Sequence, residues 1–221
     1  MKSNATQLVW GQPKRPMIKP PVEGLFQLRI GIGTEQGFLK IGPSWDSPDF
    51  VLDTKIMPWP IEDAIVDRIY ASFYFHRLTR PERFEFMDEC YRILKPGMQL
   101  IMVMPHWSSE RSINDPLAQW PPLGASCFAP YSKTWREQER MTELPLKCDF
   151  ASVWGWGTDM DQSVVGGRNE EFVQHARRHW LNANTDLHIT MTRVDPPEQP
   201  KDRIFPKIAK AKPKPKRGGH R

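Results

Sequence analysis

The chain has 221 residues and a formal net charge of +5. That length suits one α/β domain with tails and allows a substantial core. The charge is uneven: Lys201–Arg221 holds nine Lys/Arg and one Asp, so residues 1–200 carry −3. The first twenty residues add four cations and no acid, which leaves the middle near −7. This pattern is an acidic globule with basic ends, and it excludes a basic face built into the fold. No stretch approaches the ~20 apolar residues of a membrane span, and Met1–Pro20 lacks the apolar core of a secretory signal. Cys90, Cys127 and Cys148 are odd in number, widely spaced and without zinc or redox spacing. The expectation is a cytoplasmic chain (virion or host cytoplasm if phage-encoded) with no metal site and no membrane partner.

Residues 1–21 are polar and proline-rich and read as an extended arm. Gln27–Ile32 is a short strand candidate that runs into Gly31-Ile32-Gly33. Phe38–Ile41 and Phe50–Asp53 are further strand candidates. Met57-Pro58-Trp59-Pro60 is a rigid loop. Val66–Ser72 is a strand, and Phe84, Met87, Cys90/Tyr91 and Leu94 then recur at helical spacing. Pro96-Gly97 predicts a helix stop and a turn, because proline has no amide donor and disfavours a helical residue before it. Leu100–Met104 is apolar throughout, as a strand buried on both faces of a parallel sheet must be. Strand, helix, Lys-Pro-Gly and strand make a βαβ unit with a right-handed crossover.

Residues 105–145 form a long, proline-broken aromatic stretch with Trp107, Trp120, Phe128, Tyr131 and Trp135. A connection this long predicts a functional loop or a cap with short helices of its own. Lys147–Trp156 is a sixth strand candidate, Asn169–Trp180 a helix and Leu187–Thr192 a last strand. Residues 196–221 are rich in Lys and Pro and cannot bury a core, which predicts a basic tail disordered when free.

The run Val-Asp-x-Ile-Tyr-Ala (66–71), with Phe-Met-Asp-Glu-Cys-Tyr-Arg-Ile-Leu-Lys-Pro-Gly (86–97), resembles the fourth-to-fifth-strand segment of class I S-adenosylmethionine (SAM) dependent methyltransferases. It is most similar to the small bacterial and phage type, and the similarity extends from about Leu28 to Thr192. The resemblance implies an α/β, Rossmann-like fold: a mostly parallel central sheet, helices on both faces and an antiparallel last strand. The methyltransferase-like domain would span 22–195, with 105–145 as its aromatic cap.

It also implies a site, with a degenerate cofactor motif. Leu28-Arg29-Ile30-Gly31-Ile32-Gly33 resembles the family's glycine loop, so Gly31 and Gly33 would hold SAM; the plain alternative is a strand-end turn. Asp53 matches an acid near the adenine, or else caps a turn. The family's ribose acid falls on Gly42, and Asp46 or Asp49 could replace it only if the loop turns back. Three residues, Thr34–Gln36, are too few for the usual first helix. Ser72-Phe73-Tyr74-Phe75-His76 follows the fourth strand: Ser72 on the cofactor side, Tyr74 toward the acceptor, His76 a general base or a packed histidine, and Phe75 where the family has an acid. Asn114-Asp115-Pro116 lies after the wrong strand for the amino-group methyltransferase signature, and Ala118 stands where the phage type has histidine. His106 and Trp107, just past the fifth strand, are acceptor-side candidates.

Two functions stay open. One is SAM-dependent methyl transfer to an unidentified acceptor. The other is an inactive methyltransferase-fold protein with a structural, assembly or binding role, its Lys201–Arg221 tail attracting nucleic acid or an acidic protein surface.

Overall fold

The computed structural model describes residues 17–33, 36–151 and 155–195. Most of the expected arm, and the whole of the expected basic tail, lie outside the described residues. Seven strands form one sheet in the order β3-β2-β1-β4-β5-β7-β6. They are β1 Gln27–Gly31, β2 Leu39–Gly42, β3 Phe50–Val51, β4 Val66–Ser72, β5 Leu94–Pro105, β6 Gly155–Met160 and β7 Asn184–Thr192. β3, β2, β1, β4 and β5 pair in parallel. β7 runs antiparallel to both β5 and β6. The helices are α1 Arg80–Ile93, α2 Arg111–Asn114, α3 Lys133–Gln138, α4 Gln162–Val165 and α5 Glu170–His179.

β4, α1 and β5 form the βαβ unit. Thr79 and Glu82 close a capping box at the start of α1, with Pro81 in its first turn, where a missing N–H costs nothing. The helix buries Phe86, Met87, Cys90 and Ile93 against a sheet whose Ile69, Ala71, Leu100 and Met102 are also fully buried. Lys95-Pro96-Gly97 does stop the helix, but it is no free turn. Val66 pairs with Leu94 and Arg68 with Gln99, so the segment bulges out of β5 opposite Asp67. Gly97 supplies the φ of +74° that the bulge needs. Lys95 pairs with Asp67, and Arg193, just past β7, donates to the Leu94 carbonyl.

Among the described residues, the connections of the sheet's other half carry no crossover helix. β1 reaches β2 through residues 32–38, and β2 reaches β3 through 43–49 with only a 3₁₀ turn at Ser44–Asp46. About 3.3 Å per extended residue lets seven residues retrace a five-residue strand, so the parallel order survives without helices. The third strand is two residues long rather than four, because the Asp53 carboxylate accepts from the Lys55 amide and turns the chain. The sixth strand begins at Gly155, past most of the segment expected; the upstream part contributes one bridge, Phe150 to Arg193. Ile18, near the end of the expected arm, is buried and donates its amide to the Pro60 carbonyl. Phe128 and Tyr131 of the 105–145 stretch enter the main core, while Trp107 and Trp120 stay exposed.

Candidate functional site

The parallel strands end together on one edge, where ligands of open α/β sheets bind. A cleft of about 700 Å³ lies there, within the range that holds a drug-sized ligand. Ile30, Gly31 and Ile32 at the end of β1, Gly42 at the end of β2, Asp46 beyond it, and Asp53, Thr54 and Lys55 after β3 line it. Phe73, Tyr74 and Arg77 after β4 line it too, with Leu117 and Gln119 from the long connection.

Gly31 is fixed by its neighbours. Its φ is +83°, and a β-carbon there would lie 2.1 Å from the Ser72 carbonyl oxygen. That same oxygen accepts from the Ile32 amide at 3.0 Å. The glycine therefore lets β1 turn away against β4, and Ser72 acts through its backbone. Gly33 also has positive φ, +138°, but does not line the cleft. Phe73, at φ +49°, adopts a left-handed conformation costly for an aromatic residue.

Beside Gly42 a carboxylate comes from the following loop. The 3₁₀ turn Ser44–Asp46 brings the Asp46 carboxylate back over the end of β2. A β-carbon on Gly42 would lie 3.6 Å from Asp46 Oδ2. Lys40 holds this arrangement, its Nζ 2.9 Å from Asp46 Oδ1 and 2.5 Å from the Asp46 carbonyl. Among the described residues Oδ2 has no partner, so it can accept from a ligand. Asp53 lines the same end of the cleft. The Tyr74 hydroxyl donates to Thr54 Oγ1 at 2.8 Å and ties the β4 end to the loop after β3. Burial pushes its pKa well up, so it stays neutral.

Of the residues expected at the site, Gly31, Asp53 and Tyr74 come together. His76 does not join them. It is buried, and its Nε2 lies 2.7 Å from Asp115 Oδ2. Arg77 Nε donates to the same oxygen at 2.8 Å, and the Leu117 amide donates to Oδ1 at 2.9 Å. Burial tends to raise the Asp115 pKa, but the bonds from Leu117, Arg77 and His76 outweigh it and hold it at about 2. Burial lowers the His76 pKa against the pull of Asp115. The pair pins the 106–124 connection to the end of β4. Phe75 is 1% exposed, with the rings of Phe86, Phe128 and Tyr131 5.4–6.3 Å away, so it faces the core. His106 bonds Ser108 at 2.8 Å, and Trp107 packs by Gly124; neither lines the cleft.

The Asp115 anchor is not legible in the sequence: Asp115-Pro116 resembles family loop signatures, and no spacing links it to His76. Arg77, Leu117 and Gln119 are not legible either, since no spacing rule joins them. Asp46, four residues past Gly42, carried the one usable signal. Among the described residues no group of three or more His, Cys, Asp or Glu could hold a metal, and no helix is long and apolar enough to cross a membrane.

A sequence model of the methyltransferase domain matches residues 34–102. No curated protein matches the chain. Among solved structures, a SAM-dependent methyltransferase from Archaeoglobus fulgidus is similar at TM-score 0.52 and 15% identity, over 77% of this chain and 87% of that one. The 16S rRNA (adenine(1408)-N(1))-methyltransferase of Catenulisporales acidiphilia, in a mutant form with its cosubstrate SAM, gives 0.45 and 14%, over 79% and 88%. A Haloferax volcanii methyltransferase in complex with the Trm112 activator gives 0.47 and 13%, over 84% and 87%. The chain has the class I, SAM-dependent methyltransferase fold, and its residues 34–102 match the methyltransferase-domain pattern.

Proposed function

We propose that the chain binds SAM in the carboxyl-edge cleft and transfers its methyl group to an acceptor entering beside Phe73 and Leu117. One observation carries this: Asp46 restores, from the loop after β2, a carboxylate at the place Gly42 leaves empty. SAM supplies an activated methyl on a sulfonium, and the protein's task is alignment. The Gly31 turn brings backbone close to the cofactor. Asp46 Oδ2 accepts from the ribose diol, and Asp53 lies on the adenine side. Tyr74, fixed through Thr54, forms the wall beside the reacting end. His76 positions the acceptor-side connection through Asp115 and takes no proton from substrate.

D46N tests the assignment. Charge-assisted bonds are worth about 1.5–3 kcal/mol, so the variant weakens S-adenosylhomocysteine about 10- to 100-fold in calorimetry with little change in melting temperature. Unchanged affinity would remove Asp46 from the site.

Phe75 favours a second reading. The residue where the family has an acid is spent on the core, as it would be in a chain that keeps the fold and uses it for binding or assembly. The nine cations of Lys201–Arg221 would then supply salt-sensitive attraction to nucleic acid or an acidic protein surface. Deleting 201–221 tests the tail in either reading: binding to a polyanion such as heparin is lost while the melting temperature holds. A polyanion affinity that survives the deletion would overturn this role.

A further inference from the structure

We infer that Arg77 forms an oxyanion subsite, for a carboxylate or phosphate, in the wall of the cleft. Arg77 lines the cleft and is about one-third exposed. Its Nε is committed to Asp115 Oδ2 at 2.8 Å. Asp115 is itself held by His76 and by the Leu117 amide, so the guanidinium plane is anchored on one edge. Among the described residues, neither terminal nitrogen has a partner. A guanidinium with Nε spent keeps its two Nη groups, a fork that matches two oxygens of a carboxylate or phosphate.

Phe73 lines the cleft, and the Arg111 guanidinium sits 4.9 Å over its ring while pairing with Asp186 at 2.6 Å. The other charged groups that line the cleft are Asp46, Asp53 and Lys55, and the Lys55 ammonium pairs with Glu82 at 3.1 Å. Two sources share this chemistry: the amino-acid end of the cofactor, if the SAM reading holds, and an anionic acceptor.

Calorimetry on the full chain separates them, using S-adenosylhomocysteine, 5′-methylthioadenosine, benzoate and phenyl phosphate against R77Q and R77K. If the cofactor's carboxylate is the guest, R77Q weakens S-adenosylhomocysteine about 10-fold or more. In that case 5′-methylthioadenosine, which lacks the amino-acid end, binds wild type and variant alike. If the acceptor is the source, S-adenosylhomocysteine is unaffected, and benzoate or phenyl phosphate binds the loaded wild type but not R77Q. R77K, which keeps the charge without the fork, falls between in either case. Equal binding of all four probes to wild type and R77Q would overturn the subsite, and so would a uniform loss in both variants, which marks a merely structural arginine. If S-adenosylhomocysteine fails to bind wild type, the SAM reading falls while the benzoate and phenyl phosphate titrations of the free chain still decide the subsite.

Discussion

Gly31 shows how one atom can set a site. A β-carbon there would meet the Ser72 carbonyl at 2.1 Å, well inside contact distance, and the backbone that it must move is part of the central ladder. Gly31→Ala therefore costs about 1–2 kcal/mol for the left-handed backbone and more for the clash. Chemical denaturation should show a loss of at least about 2 kcal/mol; a loss below about 1 would mean the turn relaxes freely. Asp115 is the second decisive residue. Its folded pKa of about 2 lies below the ordinary 3.8, so its stabilisation is present above about pH 4 and lost as pH falls toward 2. His76 is depressed as well: the unfolded chain takes up its proton first, so stability also falls as pH drops below about 6.5. D115N should lose about 1–3 kcal/mol at pH 7 and show a flatter stability profile between pH 4 and 2 than wild type. Parallel profiles would show that Asp115 carries no such linkage.

Elements differed in how readily the sequence revealed them. β4 and α5 were legible because burial of one face leaves a periodic pattern, and because Asn169 accepts from the Phe172 amide and marks where α5 begins. β5 was legible in its buried half, but its first residues were not, because a bulge depends on the partner strand. β3 was overestimated: Phe50–Asp53 looks extended until Asp53 turns the chain. The cleft was half legible. Gly31, Asp53 and Tyr74 follow strand ends, which pattern can locate. Asp46 and Asp115 reach their places through loop geometry, which periodicity does not encode. Phe75 makes the contrast testable. Restoring an acid there by F75E would help a residue that faced the cleft. Here it puts a carboxylate among Phe86, Phe128 and Tyr131, beside an Arg83 already donating to the His76, Gln119 and Pro121 carbonyls. Thermal denaturation should show a loss of about 3 kcal/mol or more, with no gain in cofactor affinity. A stable variant with tighter cofactor binding would place Phe75 at the site.

At the scale of the whole molecule, a reduced first half meets a well-kept second half. The connections from β1 to β2 and from β2 to β3 are seven residues each, with no crossover helix among the described residues, yet the strand order and the carboxyl-edge cleft persist, since both depend on the parallel ladder of β1, β2 and β4. The proposed function assigns the ribose to Asp46, in the loop after β2, and the oxyanion subsite to Arg77, both of which line that cleft. Methyl transfer by this chain requires that the cleft take the cofactor. Titration of the full chain with S-adenosylhomocysteine, by calorimetry and by thermal shift, tests it most directly. Micromolar affinity is predicted, with stabilisation of about 2.7 kcal/mol at one hundred times Kd. No heat and no shift at millimolar ligand would contradict it.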